Sequence, residues 1–151
     1  MSGAKPNVWQ RRRARRALVQ AVYQWQIANA AYTSVLADFR EGDALKKADH
    51  EFFEALLRRV LMDAASLDEA FESYLDRPLA QLDPVEQAIL RLAAAEFIER
   101  IDVPYRVVID EYVELAKTFG ATDSHKYING VLDAMAGKLR TIEVQAASSS
   151  P

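Results

Sequence analysis

Along most of the chain, apolar residues recur every three to four positions, and no segment alternates with period two for long enough to require a strand. That period predicts helices throughout. The first runs from about Asn7 to Asn29 or Ala30, with Ala14, Leu18, Ala21, Val22 and Trp25 facing inward. Tyr32 to Arg40 predicts a short helix, followed by the polar connector Glu41-Gly42-Asp43. Asp49 can cap a third helix reaching about Met62, with Phe53, Leu56, Leu57, Val60 and Leu61 inside. Ser66 and Glu69 have the spacing of a capping box for a further helix. That helix places Leu67, Ala70, Phe71 and Tyr74 inward and Asp68, Glu69, Glu72 and Asp76 on a solvated acidic face.

The stretch from Asp83 to Ile101 predicts the helix on which the others assemble. Asp83 can cap it, Pro84 suits the first helical position, and Glu86 stands three residues after the cap. Val85, Ala88, Ile89, Leu92 and Ala95 form one apolar stripe, and Leu90, Ala94, Phe97 and Ile101 form another roughly opposite. A helix apolar on two sides is covered on two sides. Glu96 falls on the first stripe, so its carboxylate requires hydrogen bonds or a cationic partner.

Breaks at Arg77-Pro78-Leu79 and Asp102-Val103-Pro104 bound this helix. From about Pro104 to Phe119 the next helix turns Val108, Ile109, Tyr112, Val113, Leu115, Ala116 and Phe119 inward and Arg106, Asp110, Glu114 and Lys117 outward. Gly120 then occupies the usual stop position. A last helix from Thr122 or Asp123 presents Ile128, Val131, Leu132, Met135 and Leu139. The expected fold is all-α, with about seven helices in one domain over residues 7–140. Residues 1–6 form a loose N-terminal arm, and the Ser-rich segment 141–151 is expected to be disordered.

Composition narrows the function classes. A chain of 151 residues, half of them apolar, can bury a real core. The lack of cysteine removes disulfides, thiolate metal sites and cysteine nucleophiles, and fits a reducing compartment. No apolar run reaches the length of a membrane span and no signal-peptide core follows the basic start, so a cytoplasmic protein without membrane contact is expected. The net charge of −3 hides an asymmetry. Residues 1–16 hold Lys5, Arg11, Arg12, Arg13, Arg15 and Arg16 and no acid, while the remainder holds 13 basic and 22 acidic residues. Such a basic end on an acidic body suits a polyanion at one end and a different partner elsewhere.

Arg12, Arg16 and Tyr23 align on one helical stripe at spacings of four and seven. Guanidinium forks match phosphate oxygens and aromatic faces stack on unpaired bases, so the combination suits single-stranded RNA.

Catalytic patterns fail on spacing. His50-Glu51-Phe52-Phe53-Glu54 begins like a zinc-protease helix, but Glu54 stands where the second histidine ligand is required. Lys47 and Thr122 stand three residues before the two histidines, which rules out the Glu-x-x-His pairs of a di-iron bundle. Gly130 to Gly137-Lys138-Leu139 has the wrong gap for a phosphate loop and lacks its Ser or Thr. Nothing sets a nucleophile beside a base. No enzyme, metal or cofactor is expected.

Three stretches carry a family resemblance. Asp102-Val103-Pro104-Tyr105, Val108-Ile109-Asp110-Glu111, Glu114-Leu115-Ala116-Lys117-Thr118-Phe119-Gly120 and Ser124-His125-Lys126-Tyr127-Ile128-Asn129-Gly130-Val131-Leu132-Asp133 make up the first. The second is Val85-Glu86-Gln87-Ala88-Ile89-Leu90-Arg91-Leu92, and the third is Arg11-Arg12-Arg13-Ala14-Arg15 with Ala21-Val22-Tyr23-Gln24-Trp25. Together they closely resemble the NusB family of bacterial transcription antitermination factors over roughly residues 7–140.

The resemblance implies a NusB-like domain of two small helical bundles that binds RNA and is not an enzyme. It implies pairing with NusE, the small-subunit ribosomal protein, to hold the boxA element of nascent RNA. With NusA and NusG the pair modifies RNA polymerase so that ribosomal RNA operons are read past terminators. Arg11, Arg12, Arg13, Arg15 and Arg16 would contact phosphates, and Asp123, Lys126 and Tyr127 match positions at the RNA surface. Tyr23, Tyr74, Glu86 and Arg91 match the NusE-facing side, where Leu79 and Ala80 replace acids of some relatives. Some NusB-like proteins self-associate, which adds a homodimer to the implied states.

A NusB-like fold also precedes the catalytic part of some ribosomal RNA cytosine methyltransferases, but the Ser-rich tail leaves no room here for a methyl-donor domain. A helix-turn-helix reading of Phe119 to Ser124 meets a following helix with few basic side chains.

Overall fold

The computed structural model describes residues 7–149, and among them seven α-helices and no strand. The expected arm at 1–6 lies outside the described residues. The helices are α1 (Val8–Ala28), α2 (Tyr32–Glu41), α3 (His50–Glu69), α4 (Pro84–Glu99), α5 (Tyr105–Phe119), α6 (Ser124–Leu139) and α7 (Thr141–Ser148). Short 3-10 turns at Glu72–Tyr74 and Leu79–Gln81 fill the connection from α3 to α4. No helix among the described residues is long and apolar enough to cross a membrane.

Helix α4 is the shared element, packing against α1 and α3 on one side and α5 and α6 on the other. Its sequence explains why: Ala88, Ile89, Leu90, Leu92, Ala93, Ala94, Ala95 and Phe97 are all buried, so the helix offers no solvated face through its middle. Small residues on that surface let four neighbours approach. Asp83 caps the helix by accepting from the Val85 N–H at 2.7 Å. Glu86 does not complete a capping box; its Oε2 instead accepts from the Ser124 hydroxyl at 2.8 Å, tying α4 to the start of α6. Ile101, expected on the second stripe, is 79% exposed because α4 stops at Glu99.

Three further expectations are corrected. The helix expected to start at Ser66 is the continuation of α3 past a kink at Asp63, whose φ of −127° and ψ of 28° leave the helical region. Asp68, expected on an acidic outer face, is buried and meets the Arg91 guanidinium. Thr141–Ser148, part of the 141–151 segment expected to be disordered, forms α7, while residues 150–151 lie outside the described residues.

Arg140 explains this last difference. Its buried guanidinium donates to the backbone carbonyls of Phe97, Arg100 and Val103, satisfying the turn between α4 and α5. Glu143, one turn into α7, accepts from Arg140 and from the Tyr105 N–H at 2.9 Å. Two anchors therefore hold a helix whose own sequence is too short to persist alone.

Gly120 ends α5 with φ −87° and ψ 173°, an extended conformation open to any residue. Space is what demands glycine: a Cβ there would lie 2.7 Å from the Ala116 carbonyl and 3.0 Å from the Ser124 hydroxyl. Gly130, by contrast, has nothing within 4 Å of a notional Cβ and supports no close packing.

Candidate nucleic-acid interface

The basic stretch of α1 divides by helical position. Asn7 caps the helix, accepting from the Trp9 and Gln10 N–H groups at 2.9 and 3.1 Å, which fixes the first turn. Arg11, Arg15, Leu18 and Val22 share one face at spacings of four, seven and eleven, and that face is the one turned into the protein.

Arg15 is 3% exposed. It donates through Nε and Nη2 to both oxygens of the fully buried Glu96, and its Nη1 reaches Glu111 at 3.4 Å. The Tyr112 hydroxyl donates to Glu96 Oε1 at 2.9 Å, so the carboxylate has three donor atoms from Arg15 and Tyr112. Burial alone would lower the Arg15 pKa, but the hydrogen bond and charge of Glu96 outweigh it and hold the guanidinium firmly protonated. Burial, then the neighbouring Glu96 charge, pushes the Tyr112 phenol well above its ordinary value.

Arg11 also points into the body, 3.4 Å from Asp102 and 3.7 Å from Asp49, with its guanidinium 5.0 Å above the Phe52 ring. Arg15 is thus engaged by the buried Glu96, and Arg11 by Asp102 and Asp49 nearer the surface, so in this structure both guanidinium groups already have carboxylate partners.

Arg12, Arg13 and Arg16 face a cleft of about 570 Å³ between α1 and α5, which is lined also by Trp9, Arg15, Glu111, Glu114, Leu115 and Thr118. Arg12 lies over the Trp9 ring at 5.0 Å and donates to Glu111 at 3.1 Å. Arg16 lies over the Phe119 ring at 5.3 Å. Arg13 and Arg16 are exposed, and neither meets a carboxylate among the described residues. Two guanidinium groups without carboxylate partners among the described residues, Arg13 and Arg16, and two arginine–aromatic pairs, Arg12 with Trp9 and Arg16 with Phe119, give this open cleft the chemistry to meet an anion carrying planar groups.

A second cleft adjoins the first across the Phe119–Gly120 turn, since Thr118 lines one and Ala121 the other. Here lie Asp76, Arg77, Glu86, Asp123, Ser124 and Tyr127. The Tyr127 hydroxyl accepts from the Asp76 N–H at 3.2 Å, and Arg77 covers one face of its ring at 5.5 Å. Arg77 in turn holds Asp76, whose carboxyl is kept below its ordinary pKa chiefly by that hydrogen bond. Asp123 and Lys126 are exposed and pair at 3.4 Å, with Asp123 at φ 67° in the left-handed region that Asp tolerates better than most residues.

Of the residues expected at a protein partner, Glu86 lies in the first turn of α4 and Arg91 at its middle, Tyr23 on α1 and Tyr74 in the turn after α3. Arg91 makes a bidentate pair with Asp68 at 2.8 and 3.0 Å, donates to Gln26 Oε1 and lies over Trp25. Gln26 also donates to the Pro84 carbonyl, which joins α1 to the α4 cap. Tyr23, one turn before Gln26, is 41% exposed, and Tyr74 is partly buried against the core. Arg91 therefore shapes this surface through internal contacts.

Sequence reasoning missed three residues that the fold puts to use. Trp9 is 63% exposed at the mouth of the first cleft. Glu111, which spacing alone leaves without a partner, bridges Arg12 and Arg15. Phe119, whose apolar position marks it as core, also floors Arg16. Among the described residues no group of His, Asp and Glu could hold a metal ion.

A family model described as the NusB family matches residues 12–137. The transcription antitermination protein NusB of Alcanivorax borkumensis is 54% identical over 133 residues, covering 88% of this chain and 89% of its own. The protein of the same name from Pseudomonas entomophila is 51% identical over 136 residues, covering 90% and 82%. Among solved structures, T. maritima NusB superimposes with a TM-score of 0.76 at 30% identity, covering 90% of this chain and 94% of that one.

Proposed function

The chain belongs to the NusB family, and on that premise we propose that it binds the boxA element of nascent ribosomal RNA together with NusE. The role is in transcription antitermination, and it is one of binding, not catalysis. In the assembled complex, with NusA and NusG on RNA polymerase in the bacterial cytoplasm, it helps the polymerase read through terminators in ribosomal RNA operons.

The observation that carries this reading is the pair of exposed guanidinium groups, Arg13 and Arg16, on one open cleft and free of carboxylate partners among the described residues, with Arg16 set over Phe119. Phosphates of a single strand meet these two groups first, with Arg12 following once it leaves Glu111. Asp123, Lys126 and Tyr127 extend the RNA path onto α6. Asp123 accepts from base amino groups, Lys126 meets a phosphate and Tyr127, partly buried against the core, offers the exposed part of its ring. Arg11 and Arg15 hold α1 in place from beneath. Tyr23, Tyr74 and Glu86 belong to the NusE side, and Arg91 sets its shape through Asp68 and Gln26.

Fluorescence anisotropy of labelled boxA RNA against a scrambled strand, with and without NusE across salt concentrations, tests the reading. Preference for boxA that strengthens with NusE and weakens with salt supports it. Equal binding of both strands, indifferent to NusE, leaves only a generic polyanion site and refutes the boxA assignment.

A further inference from the structure

Trp9 is the least expected feature of the cleft. Its indole is 63% exposed in the first turn of α1, and an exposed ring signals nothing by itself; here its fixed surroundings are what give it a role. It is not loosely placed. The Asn7 cap accepts from the Trp9 N–H at 2.9 Å, so the backbone that carries the ring is fixed. The Arg12 guanidinium lies 5.0 Å from the ring on one face and is itself held by Glu111. A ring backed on one side by a restrained cation and exposed over most of its surface is a preorganised platform.

Its surroundings choose the occupant. Trp9 lines the same cleft as Arg13 and Arg16, whose positive charges have no carboxylate partner among the described residues. One helical turn further along α1, Arg16 and Phe119 repeat the pairing of arginine with aromatic ring. The two pairs are about 6 Å apart along the axis, since four residues of α-helix rise by that amount. A ligand with repeating anionic groups and intervening planar rings satisfies both pairs at once, and a single-stranded nucleic acid has that chemistry.

We propose that Trp9 is a base-stacking platform, taking one unpaired base of a bound RNA strand on the ring face opposite Arg12. This rests on the RNA-binding reading above and adds to it a contact outside the arginines and the α6 residues. Trp9 also lies just before the part of the chain matched by the family model, so the platform is argued from this chain's own geometry.

The experiment uses the full chain and two strands of equal length, a single-stranded RNA and its base-free ribose-phosphate counterpart, with affinity read by anisotropy and protein mass by sedimentation. Trp9→Ala should weaken binding of the RNA by about 5- to 100-fold and leave the base-free strand unaffected, because the removed interaction is with a base. Trp9→Phe should recover most of the loss. In a Trp25→Phe background, the emission of Trp9 should be quenched by RNA and not by the base-free strand. Equal RNA affinity of Trp9→Ala and the parent overturns the platform, as does an equal loss on both strands, which would make Trp9 a support for Arg12 alone. A change in protein mass without a change in RNA affinity also overturns it, assigning the ring to an interface between copies. If the parent binds neither strand, the RNA-binding reading itself fails, a result distinct from the other three.

Discussion

Arg15 and Glu96, 81 residues apart in sequence, meet as a bidentate pair in the core with an Nη2–Oε2 distance of 2.7 Å and side chains 4% and 0% exposed. The pair locks the basic helix α1 to the central helix α4. Removing one partner strands the other charge in a dry site. Glu96→Ala and Arg15→Ala should each cost about 3–5 kcal/mol in urea unfolding, whereas Arg15→Met with Glu96→Leu should recover much of the loss. If the single variants unfold at the parent's urea midpoint, the pair contributes nothing to holding α1.

Tyr112 makes the same cluster sensitive to alkali. Its phenol is buried and donates to Glu96, so the folded state favours the protonated form well above the ordinary value. A raised folded pKa means the stabilisation is whole below the unfolded value of about 10 and declines as pH rises beyond it, because the unfolded chain loses the proton first. Tyr112→Phe should therefore be less stable than the parent at neutral pH, by about 1.5–3 kcal/mol for the missing hydrogen bond to a charged group. That gap should narrow above about pH 10. A gap independent of pH would mean Tyr112 titrates alike in both states.

The helical period carries most of the fold because nearly every helix here is amphipathic or wholly buried, and both patterns are visible in a single sequence. The position of Glu96 on an apolar stripe demands a cation, and the fold supplies one. Charge alone groups Arg15 with its basic neighbours and hides it as that partner. Face separates it from them: a spacing of three to Leu18 and seven to Val22 marks Arg15 as inward, a signal present in the sequence. Other features are not legible there. The Arg140 anchor depends on where the α4–α5 turn leaves three carbonyls, and the release of Glu86 from its cap depends on where Ser124 arrives. Both are set by tertiary packing, which local spacing does not encode.

Arg140 and Glu143 make the last helix part of the structure. Arg140→Met should lower stability by about 2–4 kcal/mol, since three carbonyls of the α4–α5 turn are left without a charged donor. Truncation after Arg140 should cost less, about 1–3 kcal/mol, because the Tyr105 N–H no longer has the Glu143 carboxylate as acceptor. Thermal unfolding of the two variants beside the parent ranks these effects. A truncated chain as stable as the parent would show that α7 only rests on the surface.

The arginines of α1 divide into two sets that salt dependence can separate. Each phosphate of a single strand that a variant no longer neutralises reduces the slope of log affinity against log salt by about 0.7. Arg13→Ala and Arg16→Ala should each remove about that much, because both groups are exposed without a carboxylate partner among the described residues. Arg11→Ala should leave the slope unchanged, its charge being engaged by Asp102 and Asp49. Arg15→Met with Glu96→Leu should do the same while preserving the fold. Arg12→Ala should fall between, because phosphate must displace the Glu111 carboxylate 3.1 Å away before it can reach the guanidinium. A uniform reduction across all five would mean that bound RNA opens the Arg15–Glu96 core, and the inward face of α1 would then be part of the binding surface.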